Sequence, residues 1–286
     1  VPRSIVYVMF IYQKIKSLVV DPDGIYYLGP KGSFSHEVAL KIQGENYVEQ
    51  DSISSVFAAV NKNNGIGVVP IENNREGPVN DTLDNLFHED EIYINKEIEM
   101  PIRLVLAGSS YTKITSETKV YSHNHAIQEA KRTLQKLGIT RVIPVDSTSR
   151  AAILAKEENA LAICSEFAAK IYGLKVIKSD IQDGINITKF AVISNNITLE
   201  GDRSVVLFTV PHKPGGLFRV LQSFYERNIN LTMIYSRPLK EIPWRYYFYL
   251  EYEGRYMDEL IQSMKSNVEE IKFKGSFSFL YDNARF

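Results

Sequence analysis

Three short stretches of this sequence carry residue types that could do chemistry together. Gly32-Ser33-Phe34-Ser35 sets a glycine turn and two hydroxyls at the start of a helix. Asp146-Ser147-Thr148-Ser149 sets three hydroxyls at a helix start, at the end of an apolar strand. Helix N-termini present free N–H groups and a partial positive charge, so both stretches suit a small carboxylate. Taken singly, each is more readily an ordinary N-cap, the usual place for Ser and Thr. The third stretch, Val69-Pro70-Ile71-Glu72-Asn73-Asn74, reads as a loop leaving an apolar strand with a carboxylate and two amides in a row. Ligands in open α/β sheets bind beyond the carboxyl ends of strands, which makes Glu72, Asn73 and Asn74 candidates, evenly balanced against a solvated turn.

Other chemistries find little support. His123 and His125 are the closest histidine pair, with no carboxylate or cysteine at ligand spacing, so no metal site is expected. No glycine-rich nucleotide loop and no Gly-x-Ser-x-Gly elbow occurs. The single cysteine, Cys164, lies in the apolar run Ala-Leu-Ala-Ile-Cys-Ser and reads as a buried small hydrophobe. One cysteine also excludes an internal disulfide framework and fits a reducing, cytoplasmic setting. A net charge of -1 gives no global case for nucleic acid or an acidic membrane surface. The apolar run Ile5–Tyr12 is far shorter than the ~20 residues of a spanning helix and has no cleavage site after it.

The elements that must position these residues alternate between short β runs and helices. Strands are expected at Ile25–Leu28, Ile66–Val69, Arg103–Ala107, Val142–Val145, Leu161–Cys164 and Ile187–Ser194, with helices at about Ser35–Ile42, Ser54–Val60, Asn80–Leu86, Ala126–Leu137, Thr148–Lys156 and Ser165–Tyr172. That alternation is the grammar of an α/β domain. After the polar stretch Asn195–Asp202 the order becomes βαββαβ: Arg203–Val210, Gly216–Glu226, Asn230–Ser236, Arg245–Tyr252, Tyr256–Val268 and Phe273–Phe279, a ferredoxin-like arrangement. Residues 1–24 read as an N-terminal extension, 25–198 as one α/β domain and 199–286 as a second domain.

In order along the chain, these blocks resemble the prephenate dehydratase family. Tyr27 to His36 is similar to its opening motif, Gly67 to Asp84 to its longest signature, and Ser147-Thr148 followed by Ala151-Ala152 to a third block. Ile187-Thr188-Lys189-Phe190 stands where the family has Thr-Arg-Phe; without that likeness the stretch is only a strand with an outward lysine. The C-terminal part resembles a phenylalanine-sensing ACT domain. His212-Lys213-Pro214-Gly215-Gly216-Leu217-Phe218 is similar to its Gly-Ala-Leu-Val region, and Ile229 to Pro238 to its Glu-Ser-Arg-Pro region. The chain departs from these patterns at Lys189 for arginine, Tyr235 for glutamate and Gly216 for alanine. His125 and Glu129 also depart from a His-x-Gln…Cys pattern.

The resemblance implies a two-lobed catalytic domain, like a periplasmic binding protein, with subdomains of about 25–100 plus 181–198 and 101–180 and the active site between them. It implies loss of carbon dioxide and hydroxide from prephenate to give phenylpyruvate, without cofactor or metal. Thr188 becomes the residue nearest the chemistry, with Ser33, Phe34, Ser35, Glu72, Asn73, Asn74, Ser147, Thr148, Lys189 and Phe190 around the substrate. Glu72 is either an acid or, preferably, a residue that orders its loop. His212, Gly215, Gly216, Leu217, Phe218, Asn230, Ser236, Arg237 and Pro238 become the phenylalanine site, in a homodimer or homotetramer joined through ACT domains. Three alternatives stay open: arogenate as substrate, a non-enzymatic two-lobed binding protein, and a fused chorismate mutase, which the short residues 1–24 disfavour.

Overall fold

A computed structural model describes residues 23–110 and 114–281; most of the N-terminal extension lies outside them. The first stretch of chain forms β1 (Ile25–Leu28), α1 (Phe34–Ala39), β2 (Tyr47–Gln50), α2 (Ile53–Asn63), β3 (Ile66–Asn73), β4 (Gly77–Pro78), α3 (Asn80–His88) and β5 (Tyr93–Pro101). There follow β6 (Val105–Gly108), β7 (Val120–Ser122), α4 (Asn124–Glu129), α5 (Lys131–Lys136), β8 (Val142–Pro144), α6 (Thr148–Glu157), β9 (Leu161–Cys164), α7 (Glu166–Ile171), β10 (Lys175–Lys178) and β11 (Ile187–Ser194). The last part is β12 (Arg203–Thr209), α8 (Gly216–Tyr225), β13 (Leu231–Pro238), β14 (Tyr246–Glu253), α9 (Asp258–Lys265) and β15 (Glu270–Tyr281).

Two sheets organise these elements. The larger runs β13-β14-β12-β15-β5-β11-β3-β1-β2, with β4 added to β3; the smaller runs β10-β6-β9-β7-β8. The C-terminal βαββαβ unit is therefore not hung on a linker. Its strand β15 pairs antiparallel with β12 and then, over Ser278–Tyr281, parallel with Lys96–Glu99 of β5, so one sheet is continuous across both parts.

Strand alternation decides what each face of β11 sees, because successive side chains point to opposite sides. Phe190 and Val192 join the core that also holds Leu106, Leu161 and Ile163 of the smaller sheet. Ala191 and Ile193 join the core shared with Val205, Leu207, Tyr247 and Tyr249 of the C-terminal unit. Behind the smaller sheet, Ala151, Ala152 and Ala155 of α6 let that helix lie close against β7 and β9.

Several expectations need correction. The stretch Pro70–Asn73 is strand, not loop: β3 runs on to Asn73 and pairs with β11. Strands β2, β4, β5, β7 and β10 were not expected; in β5, Lys96, Glu97 and Glu99 mask the apolar alternation. The single helix expected over Ala126–Leu137 is broken at Ala130 (φ -104°, ψ 7°). Asp183 explains the break: its carboxylate accepts the backbone N–H groups of Arg132 (2.7 Å) and Thr133 (3.1 Å), capping α5 from far along the chain.

Candidate active site

Between the two sheets lies a cavity of about 480 Å³. The larger sheet supplies its floor through Pro70, Asn73, Asn186, Thr188 and Phe190, and Leu28 to Ser35 form one wall. The opposite wall comes from His123 to Glu129 and from Asp146, Ser147 and Thr148, with Ile102 and Leu104 where the chain crosses over.

Both helix starts meet here, and both serines are true N-caps. Ser33 Oγ accepts the N–H of His36 (3.2 Å) and donates to the Leu28 carbonyl (2.8 Å), which ties α1 to the end of β1. Ser147 Oγ accepts the N–H of Arg150 (2.9 Å). The cap reading and the site reading thus hold together, since capping aims each helix start at the cavity. Gly32 is needed at this seam: its φ of +91° is the left-handed region, and a Cβ there would come within 3.0 Å of the Tyr172 ring from the opposite lobe.

On the floor, adjacent strands pair Thr188 with Asn73. Asn73 Nδ2 donates to Thr188 Oγ1 (2.9 Å) and to Asn186 Oδ1 (2.6 Å). Its own Oδ1 accepts the N–H groups of Arg75 (2.9 Å) and Glu76 (3.2 Å), which fixes which way the amide points. With an acceptor position of Thr188 occupied by Asn73, its hydroxyl proton is available to a ligand above. Asn186 Nδ2 in turn donates to both oxygens of Glu129 (2.7 and 2.6 Å).

The cavity brings together Ser33, Phe34, Ser35, Asn73, Ser147, Thr148, Thr188 and Phe190. It does not include Glu72, Lys189 or Asn74, and this corrects the expectation that these three lie around the substrate. One residue along from the Asn73–Thr188 pair, the alternation turns Glu72 and Lys189 to the other face, where Lys189 Nζ binds Glu72 Oε2 (3.0 Å) and Tyr235 of β13 donates to Glu72 Oε1 (2.9 Å). Asn74 is exposed and pins the start of β11, its Oδ1 accepting the N–H of Ile187 (2.8 Å).

Sequence reading missed Asn186 and Glu76 as cavity residues, quoted Asp146 only within the Ser147 stretch, and saw His123, His125 and Glu129 only as a failed metal pair and as departures from a family pattern. His125 pairs with Glu76 and stacks on His123, whose imidazole burial pushes below its ordinary value. Burial first, and then Glu76 nearby, raises the Glu129 carboxyl above the usual range despite the Asn186 hydrogen bond. Cys164 is buried, and burial pushes its thiol up to about 12, as expected of an inert core residue. Among the described residues no cluster of His, Cys, Asp and Glu could hold a metal ion, and no helix is long and apolar enough to cross a membrane.

In the C-terminal unit, His212, Gly215, Gly216, Leu217 and Phe218 line a second cavity of about 360 Å³ with Arg245, Tyr246 and Phe248. Gly216 is dictated by packing, since a Cβ would lie 2.8 Å from the Pro211 carbonyl oxygen. Asn230, Ser236, Arg237 and Pro238 are not in this cavity. Asn230, Ser236 and Pro238 are exposed, in or beside edge strand β13. Arg237 points to the catalytic part, where its Nε and Nη2 donate to the Asp84 carboxylate (3.1 and 2.9 Å) beside Tyr247 Oη (2.6 Å). Within one chain, then, Arg237 is committed to a structural ion pair.

Known proteins resemble this chain in sequence and in fold. The prephenate dehydratase family profile matches residues 25–198 and the ACT domain profile residues 204–251. A bifunctional chorismate mutase/prephenate dehydratase of Aquifex aeolicus is 40% identical over 265 residues, covering 88% of this chain and 73% of that protein. A prephenate dehydratase of Methanocaldococcus jannaschii is 34% identical over 269 residues, covering 88% of this chain and 97% of its own. The crystal structure of prephenate dehydratase from Arthrobacter aurescens in complex with L-Phe superposes with a TM-score of 0.79 at 25% identity, covering 89% and 90% of the two chains. With the profile spanning more than half its length and these relatives matching along most of it, this chain belongs to the prephenate dehydratase family.

Proposed function

We propose that the cavity between the two sheets takes prephenate and releases phenylpyruvate, carbon dioxide and water, and that phenylalanine bound at the C-terminal unit regulates the rate. The observation that carries the reading is the Asn73–Thr188 pair on the cavity floor, with two capped helix starts aimed across it. Prephenate has a carboxylate at each end. The start of the ten-residue helix α6 at Ser147 and Thr148 suits one of them, and the Ser33–Ser35 turn suits the other.

Thr188 then faces the ring hydroxyl. Its hydroxyl donates to the departing oxygen while Asn73 holds it in position, and Phe190 packs the ring. Aromatisation drives the step, so positioning and oriented donors are the protein's main contribution. The ring carboxylate leaves as neutral carbon dioxide, which an environment poor in cations favours; among the described residues no Lys or Arg lines the cavity.

For regulation, His212 to Phe218 offer one half of an effector site. Asn230, Ser236 and Pro238 are on edge strand β13 or beside it, where a second protomer could bring them against such a half-site. A homodimer or homotetramer joined through these units, working in the cytoplasm, follows from that reading. Mixing purified protein with prephenate at neutral pH, with and without millimolar phenylalanine, tests it. Phenylpyruvate formation slowed by phenylalanine supports both parts. Turnover without a phenylalanine effect removes the regulatory half, and no turnover removes the reading.

A further inference from the structure

Prephenate dehydration needs a proton, and the residues so far assigned do not supply one. Prephenate enters with two negative charges. Phenylpyruvate leaves with one, and carbon dioxide and water leave neutral, so each turnover takes up one proton. That proton goes to the departing hydroxyl. Thr188 can orient and polarise that oxygen, but a threonine hydroxyl is far too weak an acid to give up its proton near neutral pH.

Resting on the proposed reaction, we infer that Glu129 is the proton donor that turns the departing hydroxyl into water. Three observations place it there. Glu129 lines the same cavity as Thr188, with only 8% of its surface exposed. The break at Ala130 makes it the last residue of α4 and directs it to the cavity floor, where Asn186 holds both carboxyl oxygens. Asn186 also accepts from Asn73, the residue that holds Thr188, so acid and hydroxyl are fixed by one shared amide chain.

The groups around Glu129 divide: the Asn186 hydrogen bond favours its anion, and burial outweighs it. Glu76 opposes its ionisation and Arg75 and His125 favour it, but burial is the largest influence and keeps the carboxyl protonated to higher pH than an exposed glutamate. Asp146 lines the same cavity, and a bound dianion adds to the disfavour of a carboxylate there. In the step itself, the C–O bond to the ring breaks as the Glu129 O–H proton moves to the leaving oxygen. The C–C bond to the ring carboxylate breaks together with it, and its electron pair completes the aromatic ring. Glu129 is left as a carboxylate and takes a proton from solvent before the next turnover.

The test is kcat and KM for prephenate between pH 6 and 9, for wild type, Glu129→Gln and Glu129→Asp. Glutamine keeps the shape and can still be held by Asn186, but it carries no acidic proton. The expected result is a wild-type kcat that falls on the alkaline side through one ionisation. Glu129→Gln should lower kcat by about 10²-fold or more and abolish that fall, with little change in KM. Glu129→Asp should recover part of the rate and the alkaline fall with it. Thermal melting and phenylalanine binding verify that each variant is folded. A Glu129→Gln enzyme within threefold of wild type across the range overturns the assignment. So does a wild-type kcat that stays flat to pH 9, a result that needs no variant to fold. Absence of wild-type turnover would instead sink the reaction itself, so the two failures are distinct.

Discussion

At the residue scale, the site is a hydrogen-bond sequence whose direction can be worked out from donors and acceptors. Arg75 and Glu76 N–H groups orient Asn73, Asn73 orients Thr188 and Asn186, and Asn186 holds Glu129. With Thr188 as the proposed donor to the leaving oxygen, Thr188→Ala should lower kcat by about 10²–10³ with folding intact. Asn73→Ala should cost at least about tenfold, because Thr188 then loses its fixed orientation. If Asn73 acts through Thr188, the double variant should be no slower than Thr188→Ala alone; an additive loss in steady-state kinetics would separate the two. Thr188 was legible only through its family motif, since a lone threonine in a strand is an ordinary β-former. Lys189 was misread from the same motif, because the motif gives residue types and order, while the face each residue takes comes from the strand period. Glu129 was noticed only as a departure from a pattern, and its burial depends on Asp183, 54 positions away, capping the next helix.

At the element scale, the helices and most strands followed from apolar period and caps, and the errors fall where long-range pairing overrides local pattern. Strand β5 carries Lys96, Glu97 and Glu99 yet lies between β15 and β11 near the middle of the large sheet. Glu97 is wholly buried there, a cost that no local reading of the strand would accept. The seam where β15 passes from β12 to β5 depends on Gly275. Its φ of +120° is open to glycine, and a Cβ there would sit 2.6 Å from the Ile94 carbonyl oxygen. Gly275→Ala combines backbone strain with overpacking against a main-chain atom, and should destabilise the protein by about 2–4 kcal/mol. Chemical denaturation checks it: the midpoint should fall sharply, whereas an unchanged midpoint would mean the seam tolerates a side chain. Gly254, also at positive φ but with no atom within 4 Å of a Cβ, provides a comparison at strain alone.

At the scale of the whole molecule, catalytic and C-terminal parts share a buried polar layer directly beneath the active-site floor. Glu72 and Lys189 from β3 and β11 meet Tyr235 from β13, and Arg203 Nη1 binds Glu251 Oε1 (3.3 Å), which also accepts from Thr232 (2.5 Å). Glu97 stands within this layer, near Lys189, Arg203 and Tyr249, and its carboxyl is in hydrogen-bonding contact with that of Glu251. Burial first, and then the neighbouring Glu251, holds the Glu97 carboxyl protonated well above the usual range. The sign of its effect on stability follows. With the folded-state pKa raised above the unfolded one, the folded protein keeps a proton that the unfolded chain has released. The contribution is complete below the unfolded value, near the ordinary glutamate range, and is lost as pH rises through the folded value. Wild-type stability should therefore decline on the alkaline side of the acid range as this proton is lost. Glu97→Gln keeps the shape and cannot ionise, so it should flatten that decline and raise Tm at pH 8, on the order of 2–4 °C for each kcal/mol regained. Thermal melts of both proteins from pH 5 to 9 decide it: parallel curves would mean that Glu97 is not the titrating group. Because Lys189 adjoins Thr188 in β11 and Glu72 adjoins Asn73 in β3, a change in this layer has a two-residue path to the catalytic pair. Any shift in kcat that follows the same ionisation should therefore disappear in the Gln variant, while the alkaline limb assigned to Glu129 stays.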